Sequence, residues 1–408
     1  MLRKLMTPEG RIDLTNYFAV FFLVAVSGFP FFYAAQLNIL FLVIFAMFIF
    51  FKRSIPFDRR AFMIMLFFYI VDILQVLIIK PFVPMTMIGT YARLFVAFFV
   101  VALCDKNYTR YYYKVIYHLA IISIIFYVPC VLVPAFRHFC ETTLSAPFKP
   151  PFAVESDFYE RSPTIIIYNF HEVLAEYRNS GPFWEPGAFA IFLILALIFN
   201  TIDEGTLWTK KNIFLCIVLL TTLSTTGFVA LFVLVMGYYF ATGNIIKNIF
   251  ILATVLPFAI SLYFSLEFLS AKIEDNIAIA GDDKSSRFGS GLADITDWAR
   301  SPIIGWGRGA MRYGGRQFTF FTAEQHRNNG LTALLASYGI VIFCVLLGNY
   351  YKTLKTLCKA HSFNKSFALF SFIVILLLGF SQTIFQYPFF YSLMFIHLMY
   401  SKQTEILR

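Results

Sequence analysis

Arg178-Asn179-Ser180-Gly181-Pro182-Phe183-Trp184-Glu185-Pro186-Gly187-Ala188-Phe189-Ala190 is the stretch on which the fold turns, because here a polar loop becomes the start of an apolar helix. Pro186 suits the first turn of a helix, where its missing N–H costs nothing. The run that follows, to about residue 201, carries no charge and is apolar enough to enter a bilayer. Arg178 and Glu185 are thereby held at a water–lipid edge, beside a helix N-terminus whose free N–H groups attract anions.

The rest of the chain agrees with that edge. Of 408 residues 59% are hydrophobic and only 14% charged, and the mean hydropathy is +0.72, far from an ordinary soluble domain. The composition predicts an all-α, polytopic integral membrane protein. Apolar spans fall at 16–33, 37–51, 61–79, 83–103, 115–134, 186–201, 213–225, 226–241, 246–266, 329–350, 365–386 and 388–400, about twelve transmembrane helices in a single membrane domain over residues 1–408. The first span has no small-residue cleavage site near its end and reads as a retained helix. Leu223-Ser224-Thr225-Thr226-Gly227 is read as a turn between two helices. A single helix there would invert everything after it and send Lys352, Lys355, Lys359 and Lys365 outward.

With an even count both termini share one side, whose linkers hold Arg3, Lys4, Lys52, Arg53, Lys106, Arg110, Lys210 and Lys211. The positive-inside rule makes that side cytoplasmic. Two long segments, 135–185 and 267–328, are then exported, and the working surface is external. The formal charge of +10 is dispersed among the spans, so topology explains it and nucleic acid is not an expected partner. The six cysteines have no CxxC spacing, no His/Cys/carboxylate cluster has metal-ligand spacing, and neither a metal nor a cofactor is expected. Gly305, Gly307 and Gly309 miss a dinucleotide fingerprint.

The first exported segment is rich in proline, and Ser162-Pro163 predicts a short helix through Tyr177. In the second, Leu292, Ile295 and Trp298 keep a helical spacing up to Ser301-Pro302. Arginine gathers there as Arg287, Arg300, Arg308, Arg312, Arg316 and Arg327, with His326 beside the last. Arginine binds phosphate bidentately and never loses its charge, so this cluster suits a lipid-linked phosphate or pyrophosphate; the plain alternative is pairing with the acids of the same segment. His326 has the pKa range to take a proton from a sugar hydroxyl, and Glu185 is open to three roles: base, brace for Arg178, or partner of the helix N-terminus. Phe183 and Trp184 read as an aromatic belt or a sugar platform. Asp72 and Arg93, at similar depth in adjacent spans, are expected as an intramembrane pair.

Together, Arg178–Ala190, the Leu-Ser-Thr-Thr-Gly-Phe turn, Asp297-Trp298-Ala299-Arg300-Ser301-Pro302-Ile303-Ile304-Gly305-Trp306-Gly307 and His326-Arg327-Asn328-Asn329 resemble the O-antigen polymerase and ligase superfamily. The resemblance covers about residues 178–340. It implies a bacterial inner-membrane, metal-independent inverting glycosyltransferase with a GT-C-like architecture and a periplasmic active site. Its donor would be an undecaprenyl pyrophosphate-linked oligosaccharide, and a chain-length regulator protein is the partner such enzymes work with. The resemblance assigns Arg178 and Arg287 to the donor pyrophosphate and His326 to acceptor deprotonation, with Glu185 in reserve. Arg300, Arg308, Arg312 and Arg327 add basic character around the glycan. The Glu-Pro-Gly after the aromatic pair looks more like repeat-unit polymerases than ligases, which transfer finished glycan to lipid A core. The reading from another class is a lipid-linked oligosaccharide flippase or transporter, which should show charged or broken-helix sites at midplane.

Overall fold

Where the sequence runs apolar for long enough, the chain is helical. The computed structural model describes residues 13–33, 37–78, 84–148, 163–170, 172–173, 176–243, 287–307 and 329–400. The predicted first spans appear as α1 (Leu14–Gly28) with a short α2 (Pro30–Tyr33), α3 (Leu37–Lys52), α4 (Arg59–Ile78), α5 (Pro84–Cys104) and α6 (Tyr108–Leu132), followed by a short α7 (Pro134–Phe139). After the first long linker come α8 (Pro186–Glu204), α9 (Lys210–Thr221) and α10 (Thr225–Thr242). Then follow α11 (Arg287–Trp298), α12 (Gly330–Ala360), α13 (Lys365–Ser381) and α14 (Pro388–Ser392). The span expected at 246–266 lies outside the described residues.

Among the described residues, five stretches are long and apolar enough to cross a bilayer: Arg59–Ile78, Pro84–Leu132, Pro186–Glu204, Thr225–Thr242 and Gly330–Ala360. The second of these is two helices, α5 and α6, parted by a turn at Asp105–Asn107. Shorter apolar helices accompany them. By length and composition this is an all-α membrane protein. The turn expected around 223–227 is present: α9 ends at Thr221, Leu223 takes φ 45°, and Ser224 Oγ accepts from the Gly227 N–H at 3.2 Å, as a helix cap does. At 12 residues, α9 is itself shorter than a full crossing.

One expectation is corrected. Residues 163–177 do not form a helix. They form two small antiparallel hairpins, β1 (Thr164–Ile165) with β2 (Tyr168–Asn169) and β3 (Glu172–Val173) with β4 (Glu176–Tyr177). Thr164 through Ile167 is a run of β-branched residues, stiff at χ1 and suited to extended backbone, and that preference outweighs the Ser-Pro start signal.

The chain divides into two compact units: residues 1–57, 92–228 and 387–408, and residues 58–91 and 229–386. In the first, α8 is the centre, with Ala188 through Asn200 all buried. A helix apolar all round and enclosed by protein is held by packing and by hydrogen bonds, since helix association within lipid gains little from the hydrophobic effect. Phe192 stacks on Phe183 with ring centroids 4.3 Å apart and packs on Phe389 and Phe390. Tyr112 donates to the Phe192 carbonyl at 2.8 Å, and Asn200 Nδ2 donates to Asn212 Oδ1 at 2.9 Å, tying α6 and α9 to α8. Phe41, Phe48 and Phe51 on α3 stay exposed, as suits a surface facing lipid. In the second unit α12 packs on α13, α11 and α4.

Candidate active site

The loop at Arg178–Ala190 is held by a network of buried amides and hydroxyls, to which Arg178 adds two bonds of its own. Asn169 is fully buried; its backbone N–H donates to the Gly181 carbonyl at 2.7 Å, its Nδ2 donates to the Phe183 carbonyl at 2.9 Å, and its carbonyl accepts from Ser180 Oγ at 2.7 Å. Asn179, also fully buried, donates through Nδ2 to Ser123 Oγ and Thr221 Oγ1. Its Oδ1 accepts from the Gly181 N–H at 3.0 Å. β1 and β2 therefore act as the base on which the loop is fixed. Phe183 is fully buried between Phe29, Phe189 and Phe192, so it is core and no sugar platform. Trp184 stays half-buried against Tyr387. Asn169→Ala removes the amide that satisfies the buried Phe183 carbonyl and is expected to cost about 1–3 kcal/mol. Thermal unfolding of the detergent-solubilised protein should show a lower midpoint, and an unchanged one would mean that the amide does not hold the loop.

Arg178 lies half-buried with Nε donating to the Thr222 carbonyl at 3.1 Å and Nη2 donating to the Leu223 carbonyl at 2.7 Å. Those carbonyls belong to the C-terminal turn of α9, the end of a helix that attracts cations. Glu185 sits at the N-cap of α8 in extended backbone, and its side chain makes no capping hydrogen bond.

In the second unit α11 brings two distant motifs together. Its buried face consists of Gly289, Ser290, Gly291, Ala293, Asp294 and Asp297, small or acidic residues that let it lie close on the start of α12. An added Cβ at Gly291 would come within 3.1 Å of Asn329 Nδ2. Asp294 Oδ2 accepts from Thr332 Oγ1 at 2.9 Å, and Asn329 caps α12 by accepting from the Thr332 N–H at 3.2 Å. Asn329 is fully buried and, among the described residues, its Nδ2 has no hydrogen-bond partner. Arg287 lies on α11 one turn before Gly291, which places it on the stripe facing Asn329. The opposite stripe, Phe288, Leu292 and Ile295, is exposed, so α11 is amphipathic with its apolar side outward.

Below that contact, α12 is broken. Gly339 has φ 69° and ψ 178°, and the freed carbonyls of Ala336 and Ser337 accept from the N–H groups of Trp306 and Gly307 at 2.9 and 2.8 Å. Ile340 N–H donates to the Pro302 carbonyl at 2.8 Å, and Gln75 Nε2 on α4 donates to the Ser337 carbonyl at 2.9 Å and to the Ile304 carbonyl. The Ser301–Gly307 stretch is thus a plug that satisfies a discontinuous membrane helix. Trp306 Nε1, donating to the Asp297 carbonyl, and Trp298 Nε1, donating to the Pro302 carbonyl, close the plug onto α11.

Of the residues expected from sequence, Arg178 and Glu185 fall in the first unit and Arg287 and Arg300 in the second, Arg300 exposed just past α11. Arg308, Arg312, His326 and Arg327 lie outside the described residues. Asp72 and Arg93 are both buried but belong to different units; Asp72 accepts from the Tyr91 hydroxyl at 3.4 Å. Among the described residues no three His, Cys, Asp or Glu side chains gather as a metal site. Sequence reasoning missed Asn169, Gln75 and Thr332, and treated Asp294 only as an acid for the arginines. Their signal is a hydrogen-bond partner far away in the chain, which no local pattern shows. Compared with models of protein families the chain gives no match, and compared with characterised proteins it gives none either.

Proposed function

We propose that this chain is an inverting membrane glycosyltransferase that polymerises lipid-linked oligosaccharide repeat units. The observation that supports it most is the placement of Arg287 one turn from the Asn329 contact, which joins the arginine-bearing helix to the end of the His326–Asn329 motif. Arg287 is a half-buried cation on the helix that packs against Asn329, and its guanidinium is suited to grip a phosphate anion. A pyrophosphate is such an anion. The outward apolar stripe of α11 suits a helix lying at the bilayer interface, where a polyprenyl pyrophosphate presents its headgroup.

In this reading the donor is an undecaprenyl pyrophosphate-linked glycan, bound on the external face of a bacterial inner membrane with both chain termini cytoplasmic. An acceptor hydroxyl at the non-reducing end of a second lipid-linked glycan attacks the donor's anomeric carbon from the face opposite the pyrophosphate. The new C–O bond forms as the bond to pyrophosphate breaks, and the configuration inverts. His326 takes the hydroxyl proton, with Glu185 as the other candidate, and Arg287 stabilises the charge that grows on the leaving group. The resemblance assigns Arg178 to the same pyrophosphate. Its two bonds to the end of α9 give it a positioning role as well.

The broken α12 is the one observation that favours a transporter, since transporters expose half-helix ends to substrate. Here the carbonyls freed by the break are taken up by Trp306 and Gly307, which favours a structural break. Proteoliposomes given a purified lipid-pyrophosphate repeat unit and no other protein distinguish the readings. A ladder of lengthening products is expected. Transfer only after addition of lipid A core would make the chain a ligase. Movement of substrate between leaflets without product would overturn the enzyme reading.

A further inference from the structure

Cys130 and Cys140 are the one pair of thiols whose neighbourhood calls for an explanation beyond packing. Cys130 lies near the end of α6, and Cys140 opens a π-helical turn, Cys140–Leu144, directly after α7. α7 folds the chain back so that the two free thiols, 2% and 0% exposed, lie in one buried cluster. Around them close Ile165, Tyr168 and Phe170 of the β1–β2 hairpin, with Tyr177 beyond. Phe126 stacks on Tyr168 with ring centroids 5.3 Å apart, and Arg137 lies 4.4 Å over the Tyr177 ring while pairing with Glu141 at 2.8 Å.

The remaining cysteines form no such pair: Cys104 and Cys358 are buried, Cys344 is exposed and Cys216 intermediate. An aromatic cluster needs only apolar volume at these two positions, and two thiols on elements joined by a tight reversal supply a bond-forming pair instead. By the positive-inside argument, which rests on the orientation of the proposed function, the end of α6 and all that follows to α8 are external, where disulfides persist.

We propose that Cys130 and Cys140 form a disulfide that staples α7 and its π-helical turn to the end of α6 beneath the β1–β2 hairpin. The oxidant is the disulfide of an external thiol–disulfide exchange protein. A Cys thiolate attacks that disulfide, the second Cys attacks the mixed disulfide, a sulfur–sulfur bond forms in this chain, and the donor leaves as a dithiol with the two protons. Burial pushes the Cys140 thiol up to about 11, which starves the folded chain of thiolate. Exchange therefore takes place while the segment is being exported, before the cluster closes, and the closed cluster then shields the bond from reductants. Because the β1–β2 hairpin also carries Asn169, the staple supports the loop that presents Arg178 and Glu185.

The test is thiol counting on the full-length protein in membranes prepared under an acid quench, denatured and then treated with a maleimide mass tag. Of the six cysteines, the pair should be silent without reductant, so four tags are expected, rising to six after dithiothreitol. In C130S/C140S the count should be four in both conditions. Six tags on the untreated wild type would overturn the proposal. Orientation is read separately from Thr143→Cys in the C130S/C140S background, since Thr143 is exposed in the π-helical turn. Labelling of intact cells by an impermeant maleimide, together with six tags on wild type, would sink the disulfide and leave the orientation standing. Labelling only after lysis, together with six tags, would sink both.

Discussion

Arg287→Ala should lower product formation in proteoliposomes by about 10²–10³-fold while leaving the fold intact, by analogy with loss of one preorganised donor to a developing anion. Arg287 is half-buried on α11 and is not one of the residues of its buried face. Substitution of a residue outside the buried face costs little, so unfolding should shift by no more than about 1 kcal/mol. Arg287→Lys keeps the charge but loses the planar fork that grips two phosphate oxygens, and an intermediate rate is expected. The fall should appear in turnover at saturating donor, because the interaction strengthens as the leaving group gains charge. Full activity in the alanine variant would remove Arg287 from the site and, with it, the strongest support for a pyrophosphate donor.

Gly339→Ala should prevent the second unit from folding as described, with loss of the monodisperse species on size exclusion and of product together. At φ 69° and ψ 178° an L side chain is strained, and the added Cβ would strike the Ile303 carbonyl and lie 2.6 Å from the Ile304 nitrogen. The same junction forbids a Cβ at Gly305, which would stand 2.5 Å from the Gly339 nitrogen. Relief of either clash means pulling the plug away from α12. That strands the Ala336 and Ser337 carbonyls, each at a cost of about 1–3 kcal/mol beyond the strain itself. Gly348→Ala in the same helix is the control: nothing lies within 4 Å of its Cβ, so it should be neutral or stabilising by up to about 1 kcal/mol. If Gly339→Ala behaved like Gly348→Ala, the break in α12 would not be a fixed part of the fold.

These two sites differ in how far the sequence reveals them. Arg287 stands out as a charge in a segment of clustered arginines, and the helix that carries it follows from the spacing of Leu292, Ile295 and Trp298. What the spacing does not show is that Leu292 and Ile295 face outward while Gly291 and Asp294 pack inward. In a soluble protein the apolar stripe would have been the buried one; beside lipid the small residues make the helix contact. Gly339 gives less warning still, because glycine is frequent in membrane helices and the run 329–350 reads as one uninterrupted span. The hairpins at 164–177 were hidden behind a helix-start signal that local backbone preference overruled.

By itself the sequence determined where the described apolar helices lie and where α9 gives way to α10, since a long apolar run entering a bilayer has only the helix available to satisfy its backbone. Hydropathy is a local quantity. Tertiary structure decided that α8 is enclosed by protein, that α12 breaks around the Ser301–Gly307 plug, and that Gly291, one turn from Arg287, lies against Asn329. Each of these depends on side chains and carbonyls meeting partners far away in the chain. Inside a membrane such pairings are chosen by close packing and hydrogen bonding, and the apolar pattern carries no record of them.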